Sequence, residues 1–128
     1  MNDRVAYPRH PAHLDAYVEV LGYETAISFL VMFGGCQLYF PTDPAGRSAA
    51  EALIGADRLK RLGAMMRDPK TEIPMPKTWL IRALRAEGYS VAQICRALKT
   101  TTTNVKRTLR EAGDEPMRKP DPDQFSLF

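Results

Sequence analysis

The chain has 128 residues, a length that suits one compact unit or two very small ones. Its 45% hydrophobic and 26% charged residues are ordinary for a globular protein, and no uninterrupted apolar run reaches the roughly 18 residues of a membrane span. The net charge of +3 is uneven, because residues 77–112 hold eight Lys/Arg against two Asp/Glu while both flanks are slightly acidic. This distribution indicates a polyanionic partner for the basic block.

The first segment, residues 1–12, is polar and contains two prolines, so we expect a flexible arm. It lacks the apolar core of a signal peptide, which predicts a cytoplasmic, nucleoid-associated protein without a membrane partner. Cys36 and Cys95 lie far apart and outside any Cys-x-x-Cys pattern, so we expect reduced, buried side chains. His10 and His13 are expected in a surface loop. The sequence therefore predicts no metal site.

Residues 13–76 are predicted to form a helical assembly domain with a short two-stranded β-ribbon. Apolar residues recur at helical spacing on both sides of Gly22, and a predicted strand at 37–40 ends at a proline. A fainter copy of this plan follows 33 residues later, where Gly22 matches Gly55 and Pro41 matches Pro74. An internal duplication of residues 13–41 and 46–74 is one interpretation. Chance similarity between short helices is the other.

Residues 77–113 are predicted to form three helices of about ten residues, at 78–87, 91–98 and 102–112. Ser90 and Thr101 stand at N-cap positions, where their hydroxyls satisfy backbone N–H groups. The tight polar turn between the last two helices resembles that of a helix-turn-helix. Residues 114–128 are rich in Pro and Asp, and we expect a disordered tail. The predicted fold class is therefore mainly α.

In a helix-turn-helix, the N-terminal half of the last helix enters the DNA major groove. We expect Thr103, Asn104 and Arg107 to read base edges, while neighbouring cations neutralise phosphates. Lys99 stands where this turn often has a glycine, so it must adopt a strained backbone or the turn must differ. The alternative is a three-helix module for protein contacts. The predicted DNA-binding residues are Ser90, Lys99, Thr102, Thr103, Asn104, Lys106, Arg107 and Arg110.

Two short stretches, residues 21–26 (LGYETA) and 33–41 (FGGCQLYFP), resemble the Mor transcription activator family of phages and prophages. The resemblance covers residues 13–41 and 77–112. It implies an N-terminal helical dimerisation domain, a Gly-Gly turn into a strand and a C-terminal helix-turn-helix. It also implies a DNA-binding regulator that acts as a homodimer, with RNA polymerase as a further partner. Residues 42–76 exceed the family's linker, however, and a second copy there would make a monomeric pseudo-dimer.

The last five residues, QFSLF, resemble the peptide with which bacterial proteins bind the replication sliding clamp. A disordered tail would present two apolar anchors to a pocket on the clamp. Phe125 departs from the usual leucine, and the alternative is that the tail docks onto the protein itself. The predicted clamp-binding residues are Gln124, Phe125, Leu127 and Phe128.

Three functions remain open from the sequence: a Mor-like transcription regulator, a replication- or repair-associated DNA-binding protein recruited by the clamp, and a clamp-binding adaptor or inhibitor. Salt-dependent duplex binding separates the first two from the third, and removal of the last five residues separates the first from the second. Because no carboxylate pair, Ser/His/Asp set or Gly-rich phosphate loop is evident, we expect no catalytic residues, no cofactor and no enzyme activity.

Overall fold

The computed structural model describes residues 6–42, 44, 46 and 48–113. It is mainly helical with one two-stranded antiparallel sheet, as the sequence predicts. The chain divides into an N-terminal unit, His10–Pro76, and a C-terminal unit that combines the chain from Lys77 onward with the stretch up to Arg9. The predicted tail, with Gln124, Phe125, Leu127 and Phe128, lies outside the described residues.

The N-terminal unit consists of four helical segments and two short strands. Gly22 interrupts the first helix with a non-helical backbone (φ 78°, ψ 162°), so the break predicted there is found as a kink. Ser48 caps the second helix by accepting the Glu51 N–H at 3.0 Å. The elements are a 3-10 turn at Ala12–Leu14, α1 (Asp15–Phe33), β1 (Gln37–Tyr39), α2 (Ala49–Ile54), α3 (Ala56–Ala64) and β2 (Lys70–Glu72).

The segment Ala12–Phe33 is long and apolar enough to cross a membrane by length and composition alone. No uninterrupted apolar run in the sequence indicates this segment, because polar residues such as Glu19 and Glu24 divide it. The helix is kinked at Gly22, and α1 packs against both α2 and α3. A buried core helix of a soluble protein meets the same criteria, so this helix is weak evidence for a membrane span.

Positions 33 residues apart occupy corresponding places in the N-terminal unit. In the ribbon, Leu38 lies opposite Thr71, its own counterpart. The Phe40 N–H donates to the Pro69 carbonyl at 2.6 Å, and the corresponding Ile73 N–H donates to the Cys36 carbonyl at 2.8 Å. An antiparallel ribbon has a local two-fold axis, and here that axis lies between Leu38 and Thr71, which are 33 residues apart.

The backbone and the core follow the same relation. Gly55, between α2 and α3, has φ 90° and ψ 157°, close to the values at Gly22 inside α1. Both glycines have a positive φ, a backbone conformation that other residues adopt only with strain. Each half also buries apolar side chains at corresponding positions, as in the pairs Leu21/Ile54, Ala26/Leu59, Phe29/Leu62 and Phe40/Ile73.

The C-terminal unit contains three helices, each in contact with the other two. Their apolar faces meet in a small core in which Ile94, Leu98, Val105 and Leu109 are at most 2% exposed. Burial of such side chains contributes about 1.5–3 kcal/mol each, which fixes the angles between short helices. The helices are α4 (Lys77–Ala86), α5 (Val91–Leu98) and α6 (Thr102–Glu111).

Two sequence expectations need correction. Residues 7–10, expected in a flexible arm, are anchored: the Tyr7 hydroxyl donates to Glu87 at 2.7 Å, and the Trp79 indole N–H donates to the Pro8 carbonyl at 3.0 Å. His10 contacts the Asp15 carboxylate at 2.8 Å. The cysteines are also not buried, because Cys36 follows the Gly-Gly turn on an exposed face and Cys95 lies half-exposed on α5.

Candidate nucleic-acid interface

Polar caps set the start of both helices that flank the turn. Ser90 accepts the Gln93 N–H at 3.1 Å, and the Gln93 side-chain oxygen accepts the Ser90 N–H at 2.9 Å. This reciprocal arrangement is a capping box. Thr101 caps α6 by accepting the Asn104 N–H at 3.0 Å. The caps predicted at Ser90 and Thr101 are therefore present, and they fix where α5 and α6 begin.

The turn between α5 and α6 passes through a left-handed residue. Lys99 has φ 55° and ψ 48°, and it is the one non-glycine residue with positive φ in the described part of the chain. This conformation brings the next N–H, that of Thr100, to the Cys95 carbonyl at 3.1 Å, which ends α5. Of the two outcomes left open for this position, the strained backbone is found. The side chain of Lys99 is exposed beside the start of α6.

The solvent face of α6 carries a stripe of cationic and hydroxyl side chains. Thr103, Lys106, Arg107 and Arg110 follow an i, i+3, i+4, i+7 spacing, which places them on one side of a helix. Val105 and Leu109 lie on the opposite side and are fully buried. Because the buried side faces α4 and α5, the cationic stripe faces away from the unit's own core. We call these four residues the α6 stripe.

A chain of side-chain hydrogen bonds links the turn to the α6 stripe. Arg107 donates from Nη2 to the Asn104 Oδ1 at 2.6 Å. Asn104 in turn donates from Nδ2 to the Thr100 Oγ1 at 2.9 Å. Thr100 is held by its own N–H, which donates to the Cys95 carbonyl at 3.1 Å. The guanidinium of an exposed arginine is thereby tied to the backbone of the turn.

At the N-terminus of α5, the amide nitrogen of Gln93 has no hydrogen-bond partner among the described residues. The side chain is 2% exposed, and its oxygen is already engaged by Ser90. A buried amide without a partner costs about 1–3 kcal/mol. The first N–H groups of a helix also carry positive partial charge. The N–H groups of the first turn are therefore suited to an anion, whereas the Gln93 Nε2 is buried beneath them.

The structure places the predicted DNA-binding residues in neighbouring parts of one unit. Thr102, Thr103, Arg107 and Arg110 are exposed on α6, Lys106 is half-exposed beside them, and Lys99 is exposed in the turn. Ser90 lies at the other end of α5, where its side chain is used for capping. The sequence predicts that Asn104 reads a base edge, but the oxygen and the nitrogen of its side-chain amide are both already hydrogen-bonded within the unit.

Two residues of this surface were not identified from the sequence as part of it. Gln93 completes an S-x-x-Q pattern with Ser90, which is a recognisable capping-box signal. Thr100 had been assigned only to the turn, although it stands four residues before Asn104.

Electrostatically, the surface around α5 and α6 is dominated by cations. Lys99, Arg107 and Arg110 are exposed, as is Arg96 on α5, whereas Glu111 at the end of α6 is the only acidic residue within these two helices. Glu87, at the end of α4, accepts a hydrogen bond from Tyr7. The unit therefore presents a positive field next to two capped helix N-termini. Comparisons with protein-family models, curated proteins and solved structures found no match to this chain, so the interface is defined by its own residues.

Proposed function

We propose that this chain is a sequence-specific double-stranded DNA-binding protein in which α4–α6 act as a helix-turn-helix and α6 is the recognition helix. The observation that carries the proposal is the α6 stripe, which lies opposite the buried Val105 and Leu109. A helix docked by one apolar face, with cations on the other, suits insertion into the major groove.

The proposal assigns different roles to the residues along this surface. Thr103, at the start of α6, and Arg107, one turn further along the same side, face the base edges. Lys99, Lys106 and Arg110 neutralise backbone phosphates, which supply much of the affinity but no sequence information. Thr102, exposed at the first position of α6, is a further hydroxyl donor to the backbone.

A further phosphate contact, made by backbone N–H groups, is proposed at the N-terminus of α5. The first turn of α5 provides the N–H groups of Val91 and Ala92, which the capping box does not use. Ser90 keeps these groups in place through the capping box rather than by contact with the phosphate. Contacts from both α5 and α6 would fix the position of the unit along the duplex.

We also propose that the N-terminal unit assembles within one chain. The 33-residue correspondence of strands, glycines and buried side chains supports an internal duplication. The two halves would then replace the two subunits of a Mor-like homodimer. The resemblance of residues 21–26 and 33–41 to that family favours transcription regulation in the cytoplasm, with RNA polymerase as a partner and no catalytic activity.

Duplex binding by matched variants tests the proposal. Lys106→Ala and Arg110→Ala should weaken binding to all sequences and lower the salt slope by roughly one each. Arg107→Ala should weaken the specific complex by about 1–3 kcal/mol and blur its sequence preference. Arg58→Ala, which removes an exposed cation from α3, is the control and should change little. Unchanged affinity in all three α6 variants would exclude α6 as the recognition helix.

A clamp contact is a second proposed function, supported by the motif at Gln124, Phe125, Leu127 and Phe128. A short peptide that orders on binding should have an affinity roughly in the micromolar range. The double substitution Leu127→Ala/Phe128→Ala should abolish binding to purified clamp and leave duplex affinity intact. Equal clamp binding by both proteins, or none by either, would remove the clamp contact and the replication-associated alternative with it.

A further inference from the structure

The chain of hydrogen bonds from Thr100 through Asn104 to Arg107 distinguishes the roles of the two α6 residues. Asn104 uses its side-chain oxygen to accept from Arg107 and its nitrogen to donate to Thr100. To read adenine, an asparagine needs both of these atoms for the N7 and N6 positions of the base. Asn104 would therefore have to break two hydrogen bonds, including a charge-assisted one of 2.6 Å.

Arg107 still has donors for a contact with a base, whereas both polar atoms of the Asn104 side chain are already hydrogen-bonded. One guanidinium N–H is engaged by Asn104, out of five that an arginine carries, which leaves donors for a contact with two bonds. Guanine presents two adjacent acceptors, O6 and N7, in the major groove, whereas adenine presents an acceptor beside an amino donor. A side chain that only donates therefore fits guanine and is repelled by the adenine amino group.

The link to the turn gives Asn104 a positioning role. An exposed arginine normally loses much rotamer freedom when it binds, and this loss opposes binding. Here the guanidinium is already held by Asn104, which is half-buried and tied to the backbone-anchored Thr100. The orientation of the Asn104 amide is also determined, because a flipped amide would place its NH₂ group against the arginine donors.

We propose, on the basis of the proposed DNA-binding function, that Arg107 recognises a guanine in the major groove and that Asn104 is its positioning residue. The recognised site therefore contains a G·C pair contacted by Arg107 from the middle of α6. Asn104 contributes to that preference without contacting a base.

The experiment uses the full chain and a random duplex library to find the preferred base at each position. Wild type should show one position where guanine is preferred on the order of 10–100-fold, the range that a two-bond arginine contact supports. Arg107→Ala should abolish the preference at that position. Replacing this guanine by 7-deazaguanine, which lacks the N7 acceptor, should weaken the wild-type complex and leave the Arg107→Ala complex unchanged.

Asn104 variants then test the positioning role. Asn104→Asp keeps an acceptor for Arg107 and Asn104→Ala does not, so guanine discrimination should fall in the order wild type, Asp, Ala. Because discrimination is a ratio between two bases at one position, a uniform change in affinity caused by the aspartate charge cancels. Thr100→Val should lower the same ratio, since it removes the acceptor for Asn104. Circular dichroism of each variant controls for helix content.

The outcomes separate the positioning role from the DNA-binding function. An Asn104→Ala protein that keeps full guanine discrimination, or loses preference for an adenine at another position, would overturn the positioning role while duplex binding stands. A guanine preference that survives Arg107→Ala would overturn the assignment of that base to Arg107. Failure of wild type to bind any duplex at low salt would overturn both proposals.

Discussion

Lys99 combines a backbone strain with a proposed phosphate contact, and these two properties can be separated. A left-handed conformation costs a non-glycine residue about 1–2 kcal/mol, and Lys99 is the described non-glycine residue that adopts it. A glycine there ends the helix without that strain, although glycine itself loses more conformational entropy on folding. A lysine at this strained position supports a role for its charge.

We therefore expect Lys99→Gly to stabilise the C-terminal unit by about 0.5–1 kcal/mol and to weaken duplex binding. Lys99→Ala is the matched control, since it removes the same charge and keeps the strain; it should weaken binding equally without the gain in stability. Thermal melting and duplex titration measure the two effects. A Lys99→Gly protein that binds DNA as well as wild type would exclude a phosphate contact at the turn.

At the scale of elements, the close approach of α3 to the end of β1 requires a residue without a side chain, and Gly63 provides it. A Cβ added to Gly63 would lie 2.9 Å from the Phe40 Cβ, which is closer than packed carbon atoms come. The corresponding positions in the other half are Leu30 and Ile73. The two halves of the N-terminal unit therefore have the same order of elements but carry side chains of different size at corresponding positions.

We predict that Gly63→Ala destabilises the protein by about 1–3 kcal/mol through overpacking. Helix propensity alone would predict the opposite sign, because alanine is favoured over glycine by about 0.8–1 kcal/mol in a helix interior. Arg58→Ala, at an exposed site on the same helix, should change stability by less than about 0.5 kcal/mol. Chemical denaturation measures all three proteins, and a stabilised Gly63→Ala variant would show that α3 and β1 can separate freely.

The sequence predicted the elements better than the contacts between distant residues. The break at Gly22 and the caps at Ser90 and Thr101 could be predicted because each depends on local backbone chemistry. The hydrogen bond from Trp79 to Pro8 spans 71 residues, and no local pattern indicates it. In the same way, the engagement of Asn104 by Thr100 depends on the path of the turn.

At the scale of the whole molecule, an N-terminal unit whose two halves pair within one chain predicts that the protein is a monomer. The strands that pair in the ribbon come from one chain, and the two halves bury apolar side chains at corresponding positions, although Met32, Tyr39 and Met65 are exposed. We expect the full chain to sediment at its monomer mass of 14.4 kDa and to bind one duplex site per chain. A stable particle of twice that mass would favour the homodimer that the Mor resemblance implies.

The proposed recognition helix occurs once per chain, which has a consequence for the DNA target. Dimeric helix-turn-helix proteins read two half-sites related by the two-fold axis of the dimer. A monomer with one α6 would read a single, non-palindromic site. The preferred sequence recovered from a random duplex library should then lack two-fold symmetry.

Duplex binding as a function of salt concentration tests the proposed interface most directly. Fluorescence anisotropy of a labelled duplex, titrated with the full chain at several salt concentrations, gives the slope of log K against log salt. Three phosphate contacts from Lys99, Lys106 and Arg110 predict a slope of about −3. Absence of binding at low salt, or an affinity that does not change with salt, would contradict a DNA-binding role for α6.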